Sequence, residues 1–185
     1  KNIDITMAQM NFPVNQKLDH SGLKSKHNFI VNNILKNESD LIIFGENNFP
    51  FIVNDLYELE YLQSFIGQKS NLIIGATREG INKIKTDQAN YYNSFLFLNS
   101  EKITKFDKKI LVPFGEFIPL RSLFKFMETI AGSSDFVAGN GTRYIKITDE
   151  LSIMPIICYE ILYFWRLINT LNVNSDLIIN LTNDS

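Results

Sequence analysis

Asp40-Leu41-Ile42-Ile43-Phe44-Gly45-Glu46-Asn47-Asn48-Phe49-Pro50 (DLIIFGENNFP) is the stretch on which the fold turns. Asp40 to Phe44 is a short continuous apolar run, the pattern of a strand buried on both faces. Immediately upstream, His20 to Lys36 sets Leu23, His27, Ile30, Val31, Ile34 and Leu35 on one helical stripe. Ahead of that, Ile3 to Gln9 alternates apolar and polar residues before a loop with Pro13, and reads as a strand. Downstream, Asp55 to Ile66 reads as a helix with Asp55 as its N-cap, and Asn71 to Ala76 (NLIIGA) as another buried strand. Strand, helix, strand, helix, strand is the signature of an α/β layer architecture.

The remainder adds strands in pairs. After a polar connection from Thr77 to Asn90, Asn93–Leu98 and Lys102–Phe106 form a hairpin about Asn99 and Ser100. Lys108 to Leu120 is a loop punctuated by Pro113, Gly115 and Pro119. A short helix is expected over Arg121–Ile130 and a Gly/Ser-rich loop over Ser133–Gly141. Arg143–Thr148 and Leu151–Ile157 form a second hairpin turning at Asp149-Glu150. Glu160 to Leu171 reads as a helix, and Asp176 to Leu181 (DLIINL) as a last buried strand. No internal repeat or linker interrupts the chain, so one domain is expected over residues 1–185.

Composition narrows the function classes. The 185 residues are 45% hydrophobic and 21% charged with a net charge of -2, values of a globular chain and not a disordered one. Lys and Arg are scattered, which argues against a nucleic-acid partner. No stretch reaches the ~18 apolar residues of a membrane span; the richest, Ile153 to Ile168, is broken by Pro155, Glu160 and Arg166. The single cysteine, Cys158, permits no internal disulfide and no Cys-rich zinc site. His20 and His27 lie seven apart, off the spacing of a helical metal pair, and structural roles are expected for both. No P-loop or G-x-G-x-x-G is present. The chain starts at Lys1 and stops directly after a strand-like run, so both ends are expected to be cuts.

Three reactive residues follow apolar strands: Glu46 after DLIIFG, the pair Lys108-Lys109 after KITKFD, and Cys158 after LSIMPII. In α/β folds ligands gather off the carboxyl ends of strands. Each residue alone is ordinary: a loop acid, a solvated lysine, a small core thiol. Together their roles are complementary. A helix N-terminus and a nearby ammonium favour the thiolate, a carboxylate takes the thiol proton and returns it to a leaving group, and the ammonium stabilises an oxyanion.

The order Glu, Lys, Cys in FGENNFP (Phe44–Pro50), FDKKILVPFGEFIP (Phe106–Pro119) and ICYEI (Ile157–Ile161) resembles the carbon–nitrogen hydrolase (nitrilase) superfamily. Within it, the middle motif is similar to that of the apolipoprotein N-acyltransferases of bacterial envelopes. Their Lys-to-Glu spacing of eight selects Lys108 over Lys109 and makes Glu116 the second acid; NLTNDS matches the start of a family segment that continues through Trp and Phe. The chain departs from the pattern at Ile110, where the family often has His, and at Phe44-Gly45-Glu46, where it often has Trp-Pro-Glu.

The resemblance implies a four-layer αββα sandwich, incomplete at its C-terminal end and lacking N-terminal membrane helices. It implies Glu46 as general base, Lys108 as oxyanion stabiliser and Cys158 as nucleophile, supported by Glu116, Tyr159 and Glu160. The implied reaction moves an acyl chain from a phospholipid, through a Cys158 thioester, to the amine of a diacylglyceryl-cysteine lipoprotein. It needs no metal or organic cofactor. It is expected of a monomer at the periplasmic face of the bacterial inner membrane. A lipid substrate should leave an apolar mark. Phe117, Leu120, Leu123, Phe124 and Met127 cluster after Glu116, the last four at i, i+3, i+4, i+7 spacing, which suits either a membrane-facing element or a core helix. Tyr163, Phe164 and Trp165 are expected in the core, with an interfacial role as the alternative. Two other readings stand beside this one: a nitrilase-type amidase acting on a small amide, and a non-catalytic remnant of a split gene.

Overall fold

The computed structural model describes residues 2–10, 20–67, 70–80, 90–118, 135–168 and 175–183. The expected helix over Arg121–Ile130 lies outside them. Two sheets form. The first runs β1 (Ile5–Ala8), β2 (Leu41–Phe44), β3 (Asn71–Gly80), β4 (Asn90–Leu98), β5 (Ile103–Asp107) in that spatial order. β1, β2 and β3 are parallel, and β3, β4 and β5 antiparallel. The second sheet is β6 (Ile145–Thr148), β7 (Leu151–Ile157), β8 (Leu177–Leu181), with β7 and β8 parallel.

Alternation along each strand sorts the side chains into layers. Leu41, Ile73, Phe95, Phe97 and Phe106 of the first sheet meet Ile145, Ile147, Ile153, Ile157 and Leu181 of the second in one buried cluster. The intervening residues of the first sheet, among them Ile42, Phe44, Leu72 and Leu96, pack outward against Ile30 and Ile34 of α1 (His20–Lys36) and Leu62 of α2 (Glu60–Gln63). On the far side, Met154 and Ile156 pack against Leu167 of α3 (Phe164–Ile168). The order is helix, sheet, sheet, helix: the αββα sandwich. Each buried Phe, Leu or Ile contributes about 1.5–3 kcal/mol relative to exposure.

Some local expectations are revised. β3 continues through Thr77–Gly80, because these polar residues pair with Asn90–Asn93 of an equally extended β4. Asp55 does cap, accepting the Tyr57 N–H at 3.1 Å, but the first turn, Leu56–Leu59, is 3-10 before α2 begins. Leu35 leaves the apolar stripe of α1 and faces solvent. The helix expected from Glu160 begins earlier, with a 3-10 segment over Cys158–Tyr163 ahead of α3. β8 is not buried on both faces: among the described residues it is a sheet edge, with Ile178 59% exposed and Leu181 its one buried residue.

The topology brings several chain ends to one place. β1 and β2 end together, and β7 and β8 end together. β4 runs the other way, so its start lies at the same end, as does the close of β5: Ser94 pairs with Asp107, and the Lys108 N–H donates to the Asn93 carbonyl at 2.8 Å. The Glu46 N–H donates to the Thr182 carbonyl at 3.3 Å, which ties the two sheets together there.

Candidate active site

Glu46 sits two residues past β2 on a turn fixed by its neighbours. The Gly45 N–H donates to the Asn48 side-chain oxygen at 3.1 Å, and the Asn48 amide donates to the Glu46 carbonyl at 3.2 Å. The turn presses on β3 at Gly75, where a Cβ would stand 2.6 Å from the Glu46 Cα and from the Asn47 nitrogen. Only glycine allows that approach.

Lys108 leaves β5 as a buried ammonium, 1% exposed. Its Nζ donates to Glu116 Oε1 at 2.9 Å and lies 2.9 Å from Oε2 and 3.8 Å from Glu46 Oε1. Lys109, by contrast, is engaged through its backbone N–H. The two lysines thus differ in their contacts, Lys108 through its ammonium and Lys109 through its backbone. Asn93, 2% exposed, links the two acids: its amide nitrogen donates to Glu46 Oε1 at 2.7 Å and to Glu116 Oε1 at 2.9 Å. Its nitrogen must face the carboxylates, since its oxygen would oppose two like-charged acceptors. Glu116 is anchored in turn by the Val112 N–H, 2.9 Å from Oε2.

Cys158 follows β7 directly. Burial first, then the neighbouring Glu46 carboxylate, push its thiol up to about 11, against the pull of Lys108 and the Tyr159 backbone N–H. The expectation that the local field stabilises a thiolate is therefore corrected. Burial and the carboxylate beside the sulfur together outweigh the ammonium and favour the neutral thiol. What the arrangement supplies is a carboxylate beside the thiol, placed to take its proton.

Backbone strain concentrates here. Among the described residues, the non-glycine residues with positive φ are Asn47 (50°), Phe114 (65°) and Cys158 (53°). They stand next to Glu46, between Lys108 and Glu116, and at the thiol itself. A left-handed conformation costs roughly 1–2 kcal/mol per residue, and such strain gathers where geometry serves function.

The supporting residues divide. Glu160 is wholly buried and bonded on both oxygens, to the backbone N–H groups of Lys109, Ile110 and Ile157 and to Arg143. Tyr159 turns its ring outward. Phe117 is half-buried, its carbonyl taking the Phe114 N–H at 2.8 Å. Leu120, Phe124 and Met127 lie outside the described residues. Trp165, expected in the core, is 54% exposed. It joins Val112, Tyr159, Leu162 and Tyr163 around an apolar groove of about 350 Å³. A larger cavity, about 470 Å³, lies at the opposite end beside Ile3, Asp40, Asn71 and Leu177 and holds no nucleophile. His27 is remote from the thiol, paired at 2.6 Å with the Tyr61 hydroxyl against α2.

Asn93 and Arg143 were not singled out by sequence. Asn93 is one Asn among many, and Arg143 one of several scattered bases. The single available signal was their position at strand ends that converge with those of Glu46, Lys108 and Cys158.

No family model matches the chain. Among characterised proteins, an apolipoprotein N-acyltransferase of Rickettsia typhi is 33% identical over 192 residues, covering 99% of this chain. The chain spans 37% of that relative's length. Among solved structures, Saccharomyces cerevisiae Nit3, a member of the nitrilase superfamily, superposes with a TM-score of 0.60 at 15% identity, over 97% of this chain and 64% of that one. A variant of the amidase from Nesterenkonia sp. AN1, with acrylamide added at its active-site cysteine, superposes with a TM-score of 0.62 at 11% identity, over 100% and 69%.

Proposed function

We infer, for a chain whose fold resembles that of the carbon–nitrogen hydrolases and which is similar along its length to apolipoprotein N-acyltransferases, a cysteine-based acyl transfer at the Glu46–Lys108–Cys158 cluster. The observation that carries it is the convergence at one rim of Glu46, the buried Lys108 ammonium 3.8 Å from it, and the left-handed Cys158 that closes β7. Glu46 takes the thiol proton as sulfur attacks the ester carbonyl of a phospholipid. The Lys108 ammonium faces the oxyanion of the tetrahedral intermediate. On collapse the acyl C–O bond breaks, Glu46 returns the proton to the departing lysophospholipid, and a thioester remains. The α-amine of a diacylglyceryl-cysteine then attacks; Glu46 accepts its proton, the C–S bond breaks, and the proton goes back to sulfur. This is a ping-pong scheme. Glu116 and Asn93 keep Lys108 and Glu46 in register without touching the reacting carbonyl.

Two further features support a lipid donor. The groove with Val112, Tyr159 and Trp165 begins at the residue after the nucleophile and is almost wholly apolar. Ile161, Leu162 and Trp165 expose apolar surface beside it. Burying such surface at a bilayer is favourable. We place the site at a membrane surface, on the periplasmic side of a bacterial envelope. Among the described residues no helix is long and apolar enough to cross a membrane. The same three residues would serve an amidase with water as acceptor, a reading favoured by the likeness in fold to an amidase. Offering the intact protein a phospholipid with a lipopeptide amine, and separately a small aliphatic amide, distinguishes them. Acyl-lipopeptide formation without amide turnover is expected; amide turnover alone would replace the acyltransferase by the amidase.

A further inference from the structure

Arg143 lies two residues ahead of β6. Continuing the register of Ile145 with Ile153 sets it opposite Pro155 on β7. Proline has no N–H, so the ladder cannot extend in the ordinary way at that point. The Arg143 side chain occupies the place instead. Its Nη1 donates to the Pro155 carbonyl at 2.9 Å, and the guanidinium lies over the Phe106 ring, 4.6 Å from its centroid. The same fork grips Glu160: Nη1 to Oε2 at 2.9 Å and Nη2 to Oε1 at 2.7 Å. Arginine and glutamate are both nearly inaccessible to solvent.

Glu160 passes this hold to two loops. Its Oε1 accepts the backbone N–H groups of Lys109 at 2.9 Å and Ile110 at 3.0 Å, just after Lys108. Its Oε2 accepts the Ile157 N–H at 3.0 Å, just before Cys158. That last bond is the reciprocal half of a capping box, an acid at the third helical position reaching back to the N-cap amide. One carboxylate thus joins the chain beside the ammonium to the chain beside the thiol. A bidentate guanidinium fixes that carboxylate in one plane, which a lysine would not do.

We propose that Arg143 is a positioning residue for the acyl transfer: through Glu160 it holds Lys108 and Cys158 at a fixed separation while the left-handed turn at Cys158 presents the sulfur. The proposal rests on the functional reading above and goes beyond the resemblance, which carries no role for this arginine. Loosening the clamp lets Lys108 withdraw from the sulfur, whose ionised form it stabilises.

The test is Arg143→Lys in the intact protein, which keeps the charge and removes the fork. A folded variant with a lowered melting temperature and an unchanged KM for phospholipid is expected, with kcat about tenfold lower, because small misplacements of reacting groups are costly. Alkylation of Cys158 by iodoacetamide, near pH 9, should slow by about threefold as the thiol loses its cationic neighbour. Alkylation needs no acyl donor, so it reports on the clamp independently. A wild-type protein that alkylates but never acylates would overturn the functional reading alone. A folded variant with wild-type kcat and alkylation rate overturns the proposal. Should Arg143→Lys fail to fold, the double variant Arg143→Met with Glu160→Gln, free of buried charge, is held to the same two outcomes. Should that fail as well, amide hydrogen exchange in the unaltered protein decides. Slow exchange of Lys109, Ile110 and Ile157 as a group upholds the clamp, and exchange as fast as that of exposed Gly141 overturns it.

Discussion

Burial and the neighbouring Glu46 raise the Cys158 thiol, and the two lysines beside it differ in what they can do. Lys108 points its ammonium between Glu46 and Glu116, whereas Lys109 contributes a backbone N–H to Glu160. Lys108→Ala should therefore lower acyl transfer by about two to three orders of magnitude, the usual loss on removing an oxyanion donor. Lys109→Ala should stay within about threefold, the small effect usual for a side chain outside the buried contacts. Steady-state kcat of the two variants checks this, and equal losses would put the ammonium at the wrong position. Glu46→Gln separates two properties of the thiol. It removes the base, so acyl transfer should vanish. It also removes a negative charge that raises the thiol, so the thiol should fall from about 11 toward its ordinary 9.0. The variant should then alkylate faster than wild type at pH 9 while transferring nothing, as a pH series with iodoacetamide would record.

At the scale of elements, the site depends on close approaches between strands and turns. Gly75 lets the Glu46 turn lie on β3, and a Cβ there would meet backbone rather than a movable side chain. Gly75→Ala should cost about 1–3 kcal/mol of stability, as overpacking does, and displace Glu46; urea unfolding and kcat measure both effects. The 3-10 segment and α3 behave differently. Leu162 and Trp165 are exposed, so Leu162→Ser with Trp165→Ser should leave stability within about 0.5 kcal/mol per site while raising KM for phospholipid vesicles. An unchanged KM would detach the groove from the donor. The limits of legibility appear in the same elements. β2 and α1 could be read because an apolar run and a 3.6-residue stripe are local patterns. β8 could not be read as the edge of the described sheet, because the number of a strand's neighbours leaves no trace in DLIINL. The start of the helix after β7 was misplaced because the Glu160 side chain folds back to Ile157, a contact that periodicity does not encode.

At the scale of the molecule, two sheets close on one apolar layer and deliver six strand ends to a single rim. Glu46, Lys108 and Cys158 were legible there because strand ends collect chemistry and because their order resembles a known family. Asn93 and Arg143 act through partners 23 or more and 12 or more residues away respectively, which no local pattern reports. The raised thiol also marks global stability. The folded state holds the Cys158 proton more tightly than the unfolded chain does, so its contribution is complete below about pH 9 and declines as pH rises from 9.0 toward about 11. Urea midpoints of wild type should fall over that interval relative to Cys158→Ser, which has no thiol to ionise. The central claim, that Cys158 carries the acyl group, is tested most directly by the mass of the peptide containing Cys158 after the intact protein meets a dipalmitoyl phospholipid without an acceptor amine. The account predicts a palmitoyl increment on Cys158 that hydroxylamine removes and that Glu46→Gln does not form. A wild-type protein that turns over the donor with Cys158 unmodified, or with the increment on another residue, would contradict it.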